Sequence, residues 1–289
     1  MNKNTLVLYH DNCLDGLGSA AIAYSKLGDD ADYIPVQYSQ YNKLQEQLKD
    51  TKYVAIYMLD FCFTHKEMID LLNYCAHMYI FDHHEGAKGT LKLLENYSEN
   101  IHTRYHVDKS GVGITWDYFY PEYGLMPILA HIQDRDLWRF ELDETKEICE
   151  ALYSRLLIPW DIKAWAKIIM WSLESYGYFE LKQAGDILVK HKQQRVDSII
   201  ASEICEDTAD YIIVNAPSDI ASELGNAIAN KFSKPALIWS YNSVLGKHIF
   251  SVRSNDSCSI TALEIAKNNG GGGHKHAAGF TTAYIPFYR

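Results

Sequence analysis

The chain is short of several things, and each shortage removes a class of explanation. Its six cysteines, Cys13, Cys62, Cys75, Cys149, Cys205 and Cys258, form no CxxC pair and no short-spaced framework. That argues against a disulfide scaffold, a structural zinc site or an iron–sulfur site, and for reduced thiols. No apolar run approaches the length needed to span a bilayer, and the opening MNKNTLVLYH lacks the core of a signal peptide, so a cytoplasmic protein with no membrane partner is expected. Basic charge is scarce: 27 Lys and Arg against 37 Asp and Glu leave a formal net charge of −10. Proteins that bind long nucleic acid do so largely by neutralising phosphates with basic side chains. With no basic stripe, long duplex nucleic acid is not an expected partner, and any phosphate-bearing substrate should be small and held by a local site. Internal repeats are absent too, and the only low-complexity stretch is the glycine run at 270–273.

What is present is a rhythm. In the 289-residue chain, TLVLYH (5–10), ADYIPVQY (31–38), KYVAIYMLDF (52–61) and MYIFDHH (78–84) read as strands. GSAAIAYSKLG, YNKLQEQLKD and KEMIDLLNYCAH (66–77) between them read as helices. Such alternation predicts parallel βαβ units with helices on both faces of the sheet. From about residue 111 to 200 the pattern is helical, and a second alternation follows from DYIIVNA (210–216) to GFTTAYIPF (279–287). The expected fold is α/β: a parallel-sheet catalytic domain over 1–175, a helical connector over 176–205, and a smaller α/β substrate-binding domain over 206–289.

Three strand ends finish on acids or imidazoles: His10, Asp11 and Asp15 after LVLY, Asp60 after AIYML, and Asp82, His83 and His84 after MYIF. Ligands of open parallel sheets bind beyond the carboxyl ends of the strands, so these groups should converge on one crevice. Asp134 with Asp136, in HIQDRDLW, is a fourth candidate. One aspartate at a strand end is commonly a helix cap, and an Asp-Arg-Asp triplet is commonly a surface ion pair; their recurrence at successive strand ends is what favours a site. Carboxylates mixed with imidazoles suit manganese, zinc, iron or magnesium.

With FDHH at 81–84, YMLDF before it and an Asp-Gly at 15–16, the sequence resembles the DHH phosphoesterase superfamily of oligoribonucleases, RecJ-like nucleases and pyrophosphatases. FSVRS (250–254) and GGGGHKHAAGF (270–280) are similar to its DHH-associated C-terminal domain, and together the motifs cover nearly the whole chain. The resemblance implies two manganese ions, with Asp60 bridging them and Asp15, His83 and Asp134 completing one site. It places Asp60, His83 and His84 at the catalytic core, with His84 near the leaving or attacking oxygen as a proton-transfer group. The first motif departs from the family, because Cys13 stands where an aspartate commonly ligates the first metal. Either His10 or Asp11 supplies that metal, or Cys13 does as a thiolate, or the site binds weakly; His10 and Asp11 rank above Cys13, whose other reading is a buried structural thiol. Paired cations can activate a water and stabilise phosphoryl transfer without a protein nucleophile, which suits the lack of any evident Ser–His–Asp set.

In the C-terminal part, Arg253 and Ser254 with Gly271, Gly272, Gly273 and His274 suggest a clamp for substrate phosphate and nucleotide, facing the metals across a cleft. Glycines let backbone N–H groups approach an anion, and arginine offers a planar fork. The function expected is manganese-dependent hydrolysis of short oligonucleotides or linear dinucleotides such as pGpG to mononucleotides. The alternatives are a pAp phosphatase, an exopolyphosphatase, or a nucleotide-binding protein with weakened catalysis. A homodimer is compatible with the sequence.

Overall fold

The computed structural model describes residues 3–49, 51–202 and 206–284. They fall into two units, Met1–Val189 and Lys190–Arg289.

The first unit holds a five-stranded parallel sheet of β1 (Thr5–His10), β2 (Ala31–Val36), β3 (Tyr53–Leu59), β4 (Cys75–Asp82) and β5 (Ile101–Tyr105), in the order β2-β1-β3-β4-β5. Its helices are α1 (Leu14–Leu27), α2 (Tyr41–Leu48), α3 (His65–Leu71), α4 (Lys88–Glu95), α5 (Gly111–Phe119), α6 (Pro127–Asp136), α7 (Thr145–Ser154) and α8 (Ile162–Ile168). Leu6, Val7 and Leu8 are wholly buried in sequence, the pattern of a central parallel strand covered on both faces. The pleat sends Val7 and Tyr9 into a core with α1, α5, α6, α7 and α8, and Leu6 and Leu8 into another with α2, α3 and α4. Strand order reverses where β1 lies between β2 and β3, the switch point at which sheets of this kind bind ligands.

Two boundaries differ from the sequence expectation. The helix over 66–77 stops at Leu71, passes through a 3₁₀ turn, and gives way to strand at Cys75. Cys75–His77 are solvent-facing or half-buried, so they lack the apolar signature of a strand. The edge strand β5, IHTRY, escaped the sequence reading for the same reason: only Ile101 is buried.

α9 (Tyr176–Ala201) carries the chain past Val189, so the division falls inside this helix and not at its ends. The expected boundary at 205/206 adjoins 203–205, which lie outside the described residues, as does Cys205. The second unit has a six-stranded sheet, β10-β11-β9-β8-β7-β6, formed by β6 (Glu206–Asp207), β7 (Ile212–Asn215), β8 (Ala236–Asn242), β9 (Lys247–Arg253), β10 (Gly272–His274) and β11 (Ala277–Thr282). β7 and β8 are parallel and the other pairs antiparallel. α10 (Ala221–Phe232) packs on one core and α11 (Ala262–Asn268) on another. The last residues of GFTTAYIPF, 285–287, lie outside the described residues. Among the described residues Cys13, Cys62, Cys75, Cys149 and Cys258 are free thiols, and no helix is long and apolar enough to cross a membrane.

Candidate metal centre

Sheet register brings the first groups together. Tyr9 pairs with Leu59 and Leu59 with Phe81, so the residues that follow each, His10, Asp60 and Asp82, stand side by side at the carboxyl edge. Asp60 has φ 64°, a left-handed conformation that costs a non-glycine residue about 1 kcal/mol or more. Its N–H donates to Phe81 O at 2.9 Å, tying the turn to β4. The carboxylate is buried with Oδ2 3.4 Å from His10 Nδ1 and Oδ1 3.3 Å from His83 Nε2. Neither contact has hydrogen-bond geometry, and both Asp60 oxygens and His10 Nδ1 lack a hydrogen-bond partner.

His83 Nε2 is a point of convergence, also lying 3.3 Å from Asp136 Oδ2 and 3.7 Å from Asp15 Oδ2. Asp15 sits in the first turn of α1, and its carboxylate is held by the start of α5. Ser110 Oγ donates to Oδ1 at 2.6 Å, Val112 N to Oδ1 at 2.9 Å, and Gly111 N to Oδ2. The two N–H donors are otherwise unsatisfied groups of a helix N-terminus, where a carboxylate is favoured, and the Ser110 hydroxyl adds a third. Gly111 is obligatory there, because a Cβ would come within 2.6 Å of Asp60 Cβ and 2.7 Å of Asp15 Oδ2. Asp82 accepts from the backbone N–H of His83 (2.7 Å) and of His84 (2.9 Å) and from His84 Nδ1 (2.7 Å). That bond fixes the tautomer and leaves the lone pair on Nε2, the usual way a carboxylate prepares a metal-binding imidazole.

The electrostatics describe a site that wants positive charge. Burial raises the Asp15 carboxyl well above the ordinary carboxylate range, with Asp60 and Asp136 adding to the shift. Burial likewise raises Asp136. For Asp60 burial acts upward, but the imidazoles of His10 and His83 reverse it and hold the group well below its ordinary value. Burial would lower His83; the three carboxylates outweigh it and push the imidazole up to about 10. Burial, followed by repulsion from Asp60, Asp136 and Asp15, raises the Cys13 thiol.

Donor atoms of His10, Asp60 and His84 lie within 4.8 Å of one another, and so do those of Asp15, Asp60 and His83. Asp60 belongs to both groups. Buried carboxylate oxygens without donors, packed with imidazoles and repelling one another, fit divalent cations with nitrogen and oxygen ligands. Asp136 reaches the second group through its 3.3 Å contact with His83. Neither Cys13 nor Asp11 joins such a group among the described residues; Asp11 instead accepts from Asn12 N and Nδ2 at 2.9 and 3.0 Å.

Asp134 requires a correction. Its carboxylate accepts from Thr145 Oγ1 (2.6 Å), Glu141 N (2.9 Å) and Leu142 N (3.1 Å), which tie it to the loop between α6 and α7, and it joins neither ligand group among the described residues. That loop contains Trp138, Phe140 and Glu144 at positive φ, so Asp134 braces a strained segment. Residues i and i+2 of a helix do not share a face, so only one aspartate of Asp-Arg-Asp could meet His83, and it is Asp136. The sequence reading also missed the Ser110–Val112 cradle, whose signal is a serine directly before a helical run that opens on glycine.

In the second unit, the cross-strand pairs Arg253↔Ala277 and Ala277↔His274 put Arg253 and His274 on one face of three adjacent strands with the small Ala277 between them. Arg253 donates to Ser222 Oγ (2.8 Å) and Val252 O (2.9 Å). Ser254 is buried and used by the fold: Ala262 N donates to its Oγ at 2.9 Å at the start of α11. The glycine run is framework and not an open loop. Gly270, at φ 76°, ends α11; Gly271 N donates to Ala266 O at 2.8 Å; and Gly272 and Gly273 belong to β10.

No family model matches the chain. Among solved structures, CDC45 from Entamoeba histolytica aligns over 96% of this chain and 92% of its own, with TM-score 0.54 at 10% identity. The two share a fold. The pGpG-specific phosphodiesterase PggH of Vibrio cholerae aligns over 97% and 94%, at 15% identity and TM-score 0.49, a likeness too loose to inform the chemistry. By sequence, the uncharacterized protein R106 of Acanthamoeba polyphaga mimivirus is 28% identical over 304 positions, covering 97% of this chain and 68% of that one.

Proposed function

We propose that this chain is a phosphoesterase using two divalent cations, manganese in the first instance, to hydrolyse short oligonucleotides or linear dinucleotides such as pGpG to mononucleotides. The observation that carries the reading is Asp60: a buried carboxylate at positive φ whose two oxygens, without hydrogen-bond partners, serve two separate ligand groups. His10, Asp60 and His84 would hold one ion, and Asp15, Asp60 and His83, with Asp136, the other. Bound there, the ions supply a Lewis-acid pull on phosphoryl oxygen and a water of lowered pKa.

The residues do the rest. The α5 N-terminus fixes Asp15 with three donors, so the second group is organised before anything binds. Asp82 orients His84 through Nδ1, which supports His84 as a ligand through Nε2 beside the proton-transfer role read from the sequence. Arg253 and His274, on one strand face, are suited to hold a phosphate, while Ser254 and Gly271–Gly273 support them. The net charge of −10 favours short substrates over long strands.

The test is to incubate metal-free protein, with and without manganese, with labelled pGpG, tetranucleotides, a 20-mer, pAp and polyphosphate. Manganese-dependent cleavage confined to di- to tetranucleotides is expected. Cleavage of the 20-mer alone, or of pAp or polyphosphate alone, contradicts the reading.

A further inference from the structure

We infer that Arg155 is a substrate-binding residue of the first unit, a guanidinium placed at the rim of the metal centre to take a phosphate oxygen. The inference rests on the phosphoesterase reading above. Arg155 ends α7 in the left-handed conformation, φ 59° and ψ 12°, a position where glycine or asparagine is the ordinary choice and a Cβ carries a cost. An arginine there needs a reason other than capping the helix.

Its side chain supplies one. The guanidinium carbon lies 4.3 Å over the Trp160 ring, and Nη2 donates to Asn12 Oδ1 at 3.3 Å. Asn12 belongs to the turn between His10 and Cys13, is itself left-handed at φ 58°, and donates through Nδ2 to Asp11 Oδ2. Its amide is thereby oriented with oxygen toward Arg155. Both partners of the guanidinium are neutral, so they position the charge without cancelling it, and the arginine is exposed.

Neighbouring contacts put this arginine close to the ligands. Burial raises the hydroxyl of Tyr153, two residues earlier, with Cys13 and Asp136 adding to the shift, and its ring lies 6.1 Å from that of Trp160. The end of α7 therefore runs along the turn that carries His10. A cation fixed beside so acidic a centre, its planar face resting on indole and its N–H edge open, matches the bidentate recognition of phosphate. The phosphate is either the scissile diester or the terminal group of a linear dinucleotide; the chemistry is the same.

Arg155→Gly is the informative variant, since glycine suits the backbone better than arginine. With manganese and pGpG, KM should rise about tenfold or more with little change in kcat, and Tm should not fall. A rise for pGpG but not GpG places the terminal phosphate on Arg155; a rise for both places the scissile one there. Unchanged KM for both substrates overturns the inference, as does a lowered Tm, which would make Arg155 a structural cap. If the wild-type chain cleaves nothing, the functional reading fails by itself. Titration of inorganic phosphate into manganese-loaded protein then decides: binding about tenfold weaker in Arg155→Gly sustains the inference, and equal binding overturns it.

Discussion

Replacing Asp134 by alanine and Asp136 by asparagine, in separate chains, should have opposite consequences. Asp134 accepts three hydrogen bonds, from Thr145 Oγ1, Glu141 N and Leu142 N, and bonds to a charged acceptor are worth about 1.5–3 kcal/mol each. Glu141 and Leu142 are exposed, so their N–H groups can turn to water. Thr145 is buried but keeps a 2.8 Å contact with His131 Nδ1. The net loss for Asp134→Ala is therefore about 2–4 kcal/mol, well short of the simple sum, and in a unit of this size that lowers Tm by roughly 5–15 °C. Asp136→Asn should do the reverse in metal-free protein: burial, with Asp60 adding to it, outweighs the opposing pull of His83 and disfavours its charged form, so a neutral isostere removes a cost of folding. Its manganese affinity should fall. Thermal denaturation in chelator and manganese titration at 25 °C separate the two. Manganese affinity lost in Asp134→Ala with Tm unchanged, or retained in Asp136→Asn, would refute the placement.

Gly111→Ala should lower stability by about 1–3 kcal/mol and weaken metal binding, since its Cβ would collide with Asp60 and Asp15; equal manganese affinity by titration would contradict this. In chelated protein His83 titrates near 10, above its ordinary 6.5. The stability it contributes is full below pH 6.5 and is lost as pH rises through 10. Tm of the chelated protein should fall between pH 7 and 10, and His83→Gln should flatten that slope; an identical slope in the variant would exclude His83 as its source.

How far the residues foretold the site depended on how local each signal was. Strand ends are local, so His10, Asp60, Asp82 and His83 could be placed on one sheet edge from apolar runs alone. The choice between Asp134 and Asp136 was not legible, because it turns on which helix face meets His83, a matter of tertiary packing. The cradle around Asp15 is formed by residues 95 to 97 positions away, beyond the reach of any motif. Cys13 drew attention by its position in the turn, yet the groups that gather are built without it. In the second unit the glycine run read as a backbone cradle for an anion, because glycine marks close backbone approach to a ligand and tight packing alike. The distinction lies in neighbours such as Gly279 O, 2.1 Å from where a Gly271 Cβ would stand.

The central claim is that one carboxylate serves two cation sites, and manganese stoichiometry after equilibrium dialysis tests it most directly. The wild-type chain should bind two ions, and Asp60→Asn should lose affinity for both together. An Asp60→Asn chain that keeps one ion at wild-type affinity would contradict the shared centre.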